Sequence, residues 1–235
     1  MISGGKKANR DAGRQRNAVE TRAKLLACAE ALFIEHGFRA VSVRQIADAA
    51  GANSALVGYY FAGKDELFAE VFQLHAEKIN ASRMTALAAL IKRKTPYTID
   101  ELVETYIAPI FHLRERTNAP MIFLRLSAFL IAERQDLYQR IAAGVFEKIN
   151  EEFLAHFCPL LPKLTPDEVR QRLFAIVGAM LYVPLLTEPS PRHGFVGSDG
   201  APLSGEELMQ RMVPFFSAGL QAASQAERTA KPTEF

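Results

Sequence analysis

Residues 42–64 read SVRQIADAAGANSALVGYYFAGK, and the order of residue types in this stretch predicts a short helix followed by a tight turn. Ser42 is a favourable helix N-cap, and Ile46 and Ala50 follow on one face at helical spacing. Gly51 comes directly after them, and glycine readily adopts the positive φ that a tight turn commonly requires. The first helix is therefore expected to begin after Ser42 and to end before Gly51.

A second short helix is expected after the turn. Either Asn53 or Ser54 can cap it, since both side chains accept hydrogen bonds from backbone amides, and it is expected to end near Tyr60. Two short helices joined by a turn that contains glycine form a helix-turn-helix. In that motif the second helix enters the major groove of DNA, so this stretch indicates a DNA-binding protein.

Longer helices are predicted on both sides of the pair. The preceding helix runs roughly from Val19 to His36, with apolar residues on one face, and Gly37 follows at the position where helices prefer a C-terminal glycine. The following helix is expected to start at Lys64 and to be long.

From Thr21 to Leu67 the chain resembles the DNA-binding domain of the TetR family of bacterial regulators. The matching pieces are LFIEHGF, VSVRQIADAAG, a YYF ending and GKDEL, and the spacing between them fits without gaps. The resemblance implies an all-α fold, with an N-terminal three-helix DNA-binding domain and a C-terminal helical domain for ligand binding and dimerisation. It also implies a transcriptional regulator, most often a repressor, that binds a double-stranded DNA operator as a homodimer.

The sequence departs from the family pattern at three positions of the second helix. Ala55 stands where the family often has Gly, Gly58 where it often has Tyr, and Tyr60 where it usually has His. The family's Tyr at the second of these positions commonly contacts a phosphate, and Tyr59 is the neighbour that could take over this contact.

The resemblance and the motif geometry together predict DNA contacts from both short helices and from the start of the long one. Arg44 and Lys64 are expected to reach phosphates, with solvated surface charges as the alternative. Asn53 and Ser54 could instead be caps, and Tyr59 could be a packing residue. The predicted DNA-binding residues are Ser42, Arg44, Asn53, Ser54, Ala55, Tyr59, Tyr60 and Lys64.

Positive charge is concentrated in the segment that contains the motif. Residues 1–64 carry ten Lys and Arg against five Asp and Glu, a net charge of +5, whereas residues 65–235 carry 18 against 21, a net charge of −3. Binding to DNA phosphates requires such a concentration of positive charge.

These features divide the chain into four segments. Residues 1–16 contain five Lys and Arg and no apolar periodicity, so a disordered basic arm is expected there. The arm either follows the DNA backbone or minor groove, or it is a solvated tail and partly a cloning remnant. The expected helix-turn-helix domain, helical effector-binding and dimerisation domain, and disordered tail are residues 17–63, 64–225 and 226–235.

Beyond Leu67 the spacing of apolar residues predicts helices and no strand. Capping residues mark expected helix starts near Thr98, Thr165 and Ser204. Pro109 is expected to kink the helix that contains it.

Two very apolar segments, residues 121–132 and 173–186, are expected to form helical core and to line a pocket for an apolar effector. Arg125 interrupts the first segment. Since unpaired buried charge is costly, Arg125 is expected to pair with an acidic residue, to reach the surface or to bind an anionic head group. The candidate pocket residues are Phe111, His112, Phe123, Arg125, Leu126, Phe129, Leu130, Phe174, Val177 and Tyr182.

The effector domain has a second resemblance. The runs FLRLSAFLIAERQDLYQRI and ELMQRMVPFFSAGLQAAS are similar to the C-terminal domain of PsrA-type TetR regulators, which respond to long-chain fatty acids. This favours a fatty acid or acyl thioester as the effector. A cationic or aromatic drug, with control of an efflux or catabolic operon, is the alternative.

The last two predicted helices offer the best dimer interface, because two DNA-reading heads need a two-fold axis to reach successive major grooves. The small Gly178 would allow close approach of helices there. The candidate interface residues are Leu173, Ile176, Gly178, Met180, Leu208, Met212, Phe215 and Phe216.

No motif indicates catalysis, a cofactor or a metal. The sequence has no GxSxG, no Gly-rich phosphate loop and no CxxC, and its five His lack paired metal-ligand spacing. A helical enzyme with an accessory DNA-binding domain and an unselective DNA-binding module are the remaining alternatives. No apolar run approaches the ~20 residues of a membrane-spanning helix, and no secretory signal begins the chain, so we expect a cytoplasmic protein with no membrane partner.

Overall fold

The structure is a computed structural model that describes the backbone of residues 4–116, 119–182, 197, 200–201 and 203–224. Side chains are described in residues 15–111, 121–181, 197, 200–201 and 203–224. The side chains of His112 and Tyr182, and the tail expected at residues 226–235, lie outside this part of the chain.

Within the described residues the chain is helical and contains no strand, which confirms the all-α fold. A short 3-10 helix, Cys158–Leu160, lies between the seventh and eighth α-helices. The α-helices are α1 (Gly4–Ala40), α2 (Val43–Ala49), α3 (Ala55–Phe61), α4 (Lys64–Lys92), α5 (Ile99–Arg116), α6 (Ala119–Glu133), α7 (Gln135–Phe157), α8 (Pro166–Tyr182) and α9 (Gly205–Gln221).

The first helix is longer than the sequence predicted. α1 begins at Gly4, so most of the arm that was expected to be disordered over residues 1–16 is helical. This segment contains two Lys, three Arg, two Ala and one Gln, all of which have favourable helix propensities. At the other end, Gly37 has φ 79° and ψ 177° and breaks the helical conformation where the sequence predicted the helix terminus.

Reciprocal capping boxes fix the starts of four helices, including the three starts predicted beyond Leu67. In each box the Ser or Thr hydroxyl accepts a hydrogen bond from the backbone three residues later, and that residue's Gln or Glu side chain accepts one from the cap's backbone N–H. Each cap contributes about 1 kcal/mol. The pairs are Ser42 with Gln45, Thr98 with Glu101, Thr165 with Glu168 and Ser204 with Glu207.

Residue contacts divide the chain into two compact units. The N-terminal unit comprises Met1–Leu74 and Leu126–Ile141, and the C-terminal unit comprises His75–Arg125 and Ala142–Phe235. The sequence placed the domain boundary at Lys64, whereas the structure places the division within α4. The first part of α4 buries apolar side chains in the N-terminal unit, namely Leu67, Phe68, Val71 and Phe72.

Three phenylalanine rings form the centre of the N-terminal unit. The ring centroid of Phe68 lies 4.8 Å from that of Phe33 and 5.2 Å from that of Phe38. Ile46 of α2 and Phe61 of α3 are also buried. Burial of each such side chain contributes about 1.5–3 kcal/mol, so apolar packing holds both short helices in fixed positions.

In the C-terminal unit α9 packs against both α5 and α8. The Arg172 guanidinium of α8 donates hydrogen bonds to the carbonyl oxygens of Leu220 and Ala222, at 2.7 and 2.6 Å. The last carbonyls of a helix lack intrahelical partners, and positive charge is favourable at this end of the helix dipole. Arg172 therefore joins α8 to the C-terminus of α9.

Candidate nucleic-acid interface and effector unit

The helix-turn-helix is built as the sequence predicted. The backbone N–H groups of Ala50 and Gly51 donate to the carbonyl oxygens of Ile46 and Asp48, at 3.1 and 3.2 Å. Gly51 has φ 63°, and a Cβ added there would meet nothing within 4 Å. The backbone conformation of the turn, and not a lack of space, therefore favours glycine at this position.

Asn53 and Ser54 have different roles at the start of α3. The Asn53 Oδ1 accepts a hydrogen bond from the Ala55 backbone N–H at 2.9 Å, so its side chain caps the helix. Ser54 makes no side-chain capping hydrogen bond and is exposed. Of the two predicted caps, the structure selects Asn53.

One face of α3 is exposed, while Val57 and Phe61 anchor the opposite face in the core. Tyr59 is 79% exposed, and its ring contacts that of the half-buried Tyr60 edge-on at 5.0 Å. A Cβ added to Gly58 would meet nothing within 4 Å, so packing does not require glycine at this departure from the family pattern. The outward-facing positions are Ser54, Ala55, Gly58 and Tyr59.

Ser42 and Arg44 lie at the start of α2. The Ser42 hydroxyl and backbone N–H are both bonded to Gln45. The Arg44 Nε lies 3.7 Å from Asp48 Oδ2, and both side chains are exposed. An exposed ion pair contributes only about 0–1 kcal/mol, so Arg44 can exchange Asp48 for a phosphate at little cost.

Lys64 lies at the start of α4, but its ammonium packs on an aromatic ring. The Lys64 Nζ lies 4.2 Å from the centroid of the Phe38 ring. Burial lowers the pKa of Lys64, and the nearby Asp65 and Glu133 oppose this effect. A cation–π contact contributes about 0.5–1 kcal/mol at an exposed site. Lys64 therefore has a structural role that the sequence did not predict.

The end of α6 packs on the end of α1 within the N-terminal unit, which the sequence also did not predict. The Arg39 backbone N–H donates to Glu133 Oε2 at 2.9 Å, and the Arg39 guanidinium donates to the Glu133 carbonyl oxygen at 3.3 Å. A Cβ added to Gly37 would lie 3.0 Å from Cδ1 of Phe129. Glycine thus permits both the break in α1 and the close approach of α6.

Ion pairs join the start of α7 to the start of α4. Arg134 pairs with Asp65 and with Asp136, each at 2.9 Å, and Arg140 pairs with Glu66 at 2.8 Å. The hydrogen bond from Arg134 lowers the pKa of Asp136 to about 2. The pairs of Arg134 with Asp65 and of Arg140 with Glu66 unite residues that are about seventy positions apart in the sequence, so local patterns contain no signal for them.

The candidate pocket residues are divided between the two units. Those in the N-terminal unit are Leu126, Phe129 and Leu130, and those in the C-terminal unit with described side chains are Phe111, Phe123, Arg125, Phe174 and Val177. Four of these side chains are buried, namely Phe111, Phe123, Leu126 and Leu130. Phe129 and Val177 are half-buried.

Arg125 and Phe174 lie on the surface. Arg125 is exposed, which agrees with the second of the three roles expected for it and gives no support to a buried head-group site. Phe174 is 58% exposed on α8, so it does not line the helical core of a single chain.

A buried arginine that the sequence analysis did not single out lies in the C-terminal unit. Arg83 of α4 is only 4% exposed. The buried Ile79 and Leu87 lie four residues before and after it, so Arg83 occupies the apolar face of the helix. A charge at apolar helical spacing is the signal that could have identified it.

The candidate interface residues also differ in burial. Gly178 and Phe215 are exposed and Met212 is half-buried, so these three can meet a second chain. The remaining five belong to the chain's own core and offer little surface to a partner, namely Leu173, Ile176, Met180, Leu208 and Phe216. The exposed apolar surface of this helix pair instead includes Phe174, Ala175, Pro214, Phe215 and Ala218.

Within the described residues, no group of three or more His, Cys, Asp or Glu could hold a metal ion. Among the described helices, none is both long and apolar enough to cross a membrane.

Two segments of the chain match protein-family models. Residues 25–71 match the family model described as bacterial regulatory proteins, tetR family, and residues 104–219 match one described as tetracyclin repressor-like, C-terminal domain. The probable HTH-type transcriptional regulator YttP of Bacillus subtilis (strain 168) is 28% identical over 134 residues, which are 57% of this chain. The match spans 65% of that relative's length.

Solved structures share the fold at low sequence identity. The fatty acid degradation regulator FadR from Bacillus halodurans has a TM-score of 0.60 at 14% identity, over 86% of this chain and 96% of that chain. The TetR family transcriptional regulator PfmR from Thermus thermophilus has a TM-score of 0.54 at 18% identity, over 84% of this chain and 99% of that chain.

Proposed function

We propose that this chain, which belongs to the TetR family of bacterial transcriptional regulators, is a repressor that leaves a palindromic operator when a small apolar molecule binds. The observation that supports this most directly is the exposed face of α3. A short helix, anchored by Val57 and Phe61, presents Ser54 and Tyr59 outward at the end of a capped helix-turn-helix. Such a helix fits the major groove.

The contacts with DNA divide into base readout and phosphate binding. Ser54 and Tyr59 extend from α3 toward base edges in this arrangement, and Asn53 holds the start of the helix. Arg44 at the start of α2, and the N-terminal turn of α4 near Lys64, approach the phosphates. The net positive charge of residues 1–64 favours the same surface for DNA.

Two copies of the chain are needed to read two successive major grooves. We propose a two-fold dimer through α8 and α9, in which the exposed Phe174 and Phe215 of one copy pack against the same helices of the other. A Cβ added to the exposed Gly178 would meet nothing within 4 Å, and the absence of a side chain there permits close approach of two backbones.

The effector is proposed to be an elongated apolar molecule, with a fatty acid or acyl thioester favoured by the resemblance of the C-terminal segments. The likeness to the fatty acid degradation regulator is one of fold. Release of DNA requires only that the molecule bind more tightly to the arrangement of the dimer that does not fit the operator.

Substitution of Tyr59 tests base readout. With a duplex selected from a random pool, Tyr59→Ala is expected to weaken binding by about 1–3 kcal/mol and to blur base preference. The affinity of Tyr59→Ala for an unrelated duplex is expected to change little. Because Tyr59 is exposed, the melting temperature of the variant should equal that of the wild type. Tyr59→Phe is the matched control for the hydroxyl. An equal loss of affinity for both duplexes would show that Tyr59 does not read bases.

Substitution of Arg44 and Lys64 tests phosphate binding. Each single change to Ala is expected to weaken binding to all duplexes alike and to lower the slope of log affinity against log salt by about one. Lys64→Ala should also lower the melting temperature, because it removes the contact with Phe38. An unchanged salt slope for Lys64→Ala would limit this residue to its structural role.

A further inference from the structure

Arg83 is buried without a carboxylate partner in the described part of the chain. Its Nε donates a hydrogen bond to the Tyr106 carbonyl oxygen at 2.8 Å, and its guanidinium carbon lies 4.4 Å from the centroid of the Tyr106 ring. Among the described residues it forms no ion pair. The guanidinium has five N–H donors, but among the described residues it makes one hydrogen bond to a carbonyl and one contact with an aromatic ring.

Other polar groups lie close to Arg83 on α4, α5 and α7. The Tyr106 hydroxyl donates to Asn150 Oδ1 at 2.9 Å. Asn80, one helical turn before Arg83, donates through Nδ2 to the Val145 carbonyl oxygen at 2.9 Å. Its Oδ1 is buried and has no hydrogen-bond partner among the described residues. We call Asn80, Arg83, Tyr106 and Asn150 the polar cluster.

The energetics of the polar cluster are unusual for a helical core. Burial lowers the pKa of the Arg83 guanidinium, but arginine stays protonated in proteins. A buried charge is costly unless it is paired, and replacement by an apolar side chain is often neutral or stabilising. Packing alone would therefore favour Leu or Met at this position, between Ile79 and Leu87.

We propose that Arg83 binds the carboxylate of an apolar effector. Asn80 Nδ2 and the Tyr106 hydroxyl already donate to groups of the chain, so the guanidinium of Arg83 supplies the donors for the head group. The proposal rests on the effector-responsive function above and specifies its ligand class. A guanidinium binds a carboxylate through two parallel hydrogen bonds, and its single positive charge matches a monoanion. The apolar neighbours Ile79 and Leu87 suit a hydrocarbon chain. Arg83 thus replaces Arg125, which is exposed, as the head-group residue.

A purely structural Arg83 makes the opposite predictions. If it only joins α4 to α5 through Tyr106, its removal should destabilise the protein without ligand and should leave ligand binding intact. If it binds the effector, its removal should leave the melting temperature of the ligand-free protein unchanged or raised, and should abolish the response to carboxylates.

The first experiment uses the wild-type protein and ligands that differ only in the head group. Thermal melting and calorimetric titration with octanoate, dodecanoate and hexadecanoate are compared with titration with the alcohols of the same chain lengths. At least one carboxylate is expected to bind at least about tenfold more tightly than its alcohol, because a charge-assisted hydrogen bond is lost in the alcohol. Equal binding of each acid and its alcohol would overturn the proposal, as would no binding of any acid.

The second experiment compares three variants with the best carboxylate. Arg83→Met keeps a similar volume without charge, and it should weaken binding by at least about tenfold. Arg83→Lys keeps the charge but not the two-pronged geometry, so it should bind with intermediate affinity. The proposal fails if Arg125→Met removes the response and Arg83→Met does not. It also fails if Arg83→Met unfolds the ligand-free protein.

Failure of the proposed regulatory function can be distinguished from failure of the proposed role of Arg83. DNA binding by ligand-free wild-type protein tests the regulator, and it involves no effector. If the wild-type chain binds no DNA selectively but Arg83 still discriminates acids from alcohols, the regulatory proposal fails while the ligand class stands. If selective DNA binding is observed without that discrimination, only the role of Arg83 is lost.

Discussion

The two units of the chain differ in the surroundings of one buried arginine. In the N-terminal unit, arginines that join helices form ion pairs with carboxylates of the same unit. The pairs are Arg22 with Glu70, Arg134 with Asp65 and Asp136, and Arg140 with Glu66. In the C-terminal unit Arg83 is buried and forms no such pair among the described residues. Other arginines of the C-terminal unit do pair with carboxylates, Arg93 with Glu101 and Arg170 with Glu151. Arg83 is therefore an exception within its own unit, and the carboxylate that we propose for it would come from outside the chain.

The two units also expose different aromatic side chains. The N-terminal unit presents Tyr59, which has a hydroxyl, from a short helix beside a positively charged segment. The C-terminal unit presents Phe174 and Phe215 from two long helices. A phenol suits the wet, polar surface of DNA, and phenylalanine suits a dry contact between proteins. The comparison therefore supports the proposal that one unit reads DNA and the other mediates self-association.

The largest effect is expected from breaking that self-association. The double variant Phe174→Asp and Phe215→Asp places charge on the proposed contact between copies, so light scattering should show a monomer. Selective DNA affinity should fall by about 100-fold or more, because the two heads no longer bind as one molecule.

The matched control is Ile91→Asp, which introduces the same charge at an exposed apolar residue of α4. It should leave the dimer and its DNA affinity intact. A double variant that remains dimeric at micromolar concentration would refute the assignment of α8 and α9.

A smaller effect is expected from Gly37→Ala in the N-terminal unit. Gly37 has φ 79° and ψ 177°, a conformation that essentially only glycine adopts, at a cost of about 1–3 kcal/mol for other residues. The new Cβ would also lie 3.0 Å from Phe129. The melting temperature should therefore fall, by about 2–4 °C for each kcal/mol.

Gly144→Ala is the control for Gly37→Ala. A Cβ at Gly144, inside α7, would meet nothing within 4 Å, and alanine is favoured over glycine in a helix by about 0.5–1 kcal/mol. Its melting temperature should rise slightly. If Gly37→Ala also raises the melting temperature, the break in α1 does not require glycine.

The smallest effect concerns the Arg134 ion pairs and acid pH. Arg134 lowers the pKa of Asp136 from 3.8 to about 2. Between these two pH values the Asp136 carboxylate is therefore mostly charged in the folded state and mostly protonated in the unfolded state. The pair stabilises the fold fully above the ordinary pKa, and this contribution is lost as the pH falls toward about 2.

In Arg134→Gln the Asp136 pKa should return toward 3.8, as followed by NMR titration of its carboxyl carbon. The difference in melting temperature between wild type and variant should shrink as the pH falls through this range. A difference that does not depend on pH would mean that Arg134 acts by packing and not through Asp136.

Local signals in the sequence were sufficient for the helix-turn-helix. Capping at Ser42, the break at Gly37 and the positive φ at Gly51 each depend on a few neighbouring residues, and each was predicted correctly. The helix starts after Thr98, Thr165 and Ser204 were predicted for the same reason.

Contacts between distant segments could not be predicted in this way. The pairing of Arg134 with Asp65 and the packing of Lys64 on Phe38 depend on which helices meet. Periodicity identifies an apolar face but does not say whether that face meets the chain's own core or another copy, so buried Phe216 and exposed Phe215 could not be told apart.

The most direct test of the account is selection of double-stranded DNA from a random pool by the wild-type protein, followed by competition between the selected duplex and a scrambled one. The account predicts an inverted repeat whose half-sites lie about one helical turn, or a multiple of it, apart. It also predicts that the selected duplex binds at least ~10³-fold more tightly at physiological salt. A pool without an enriched motif, with equal affinity for both duplexes, would contradict it.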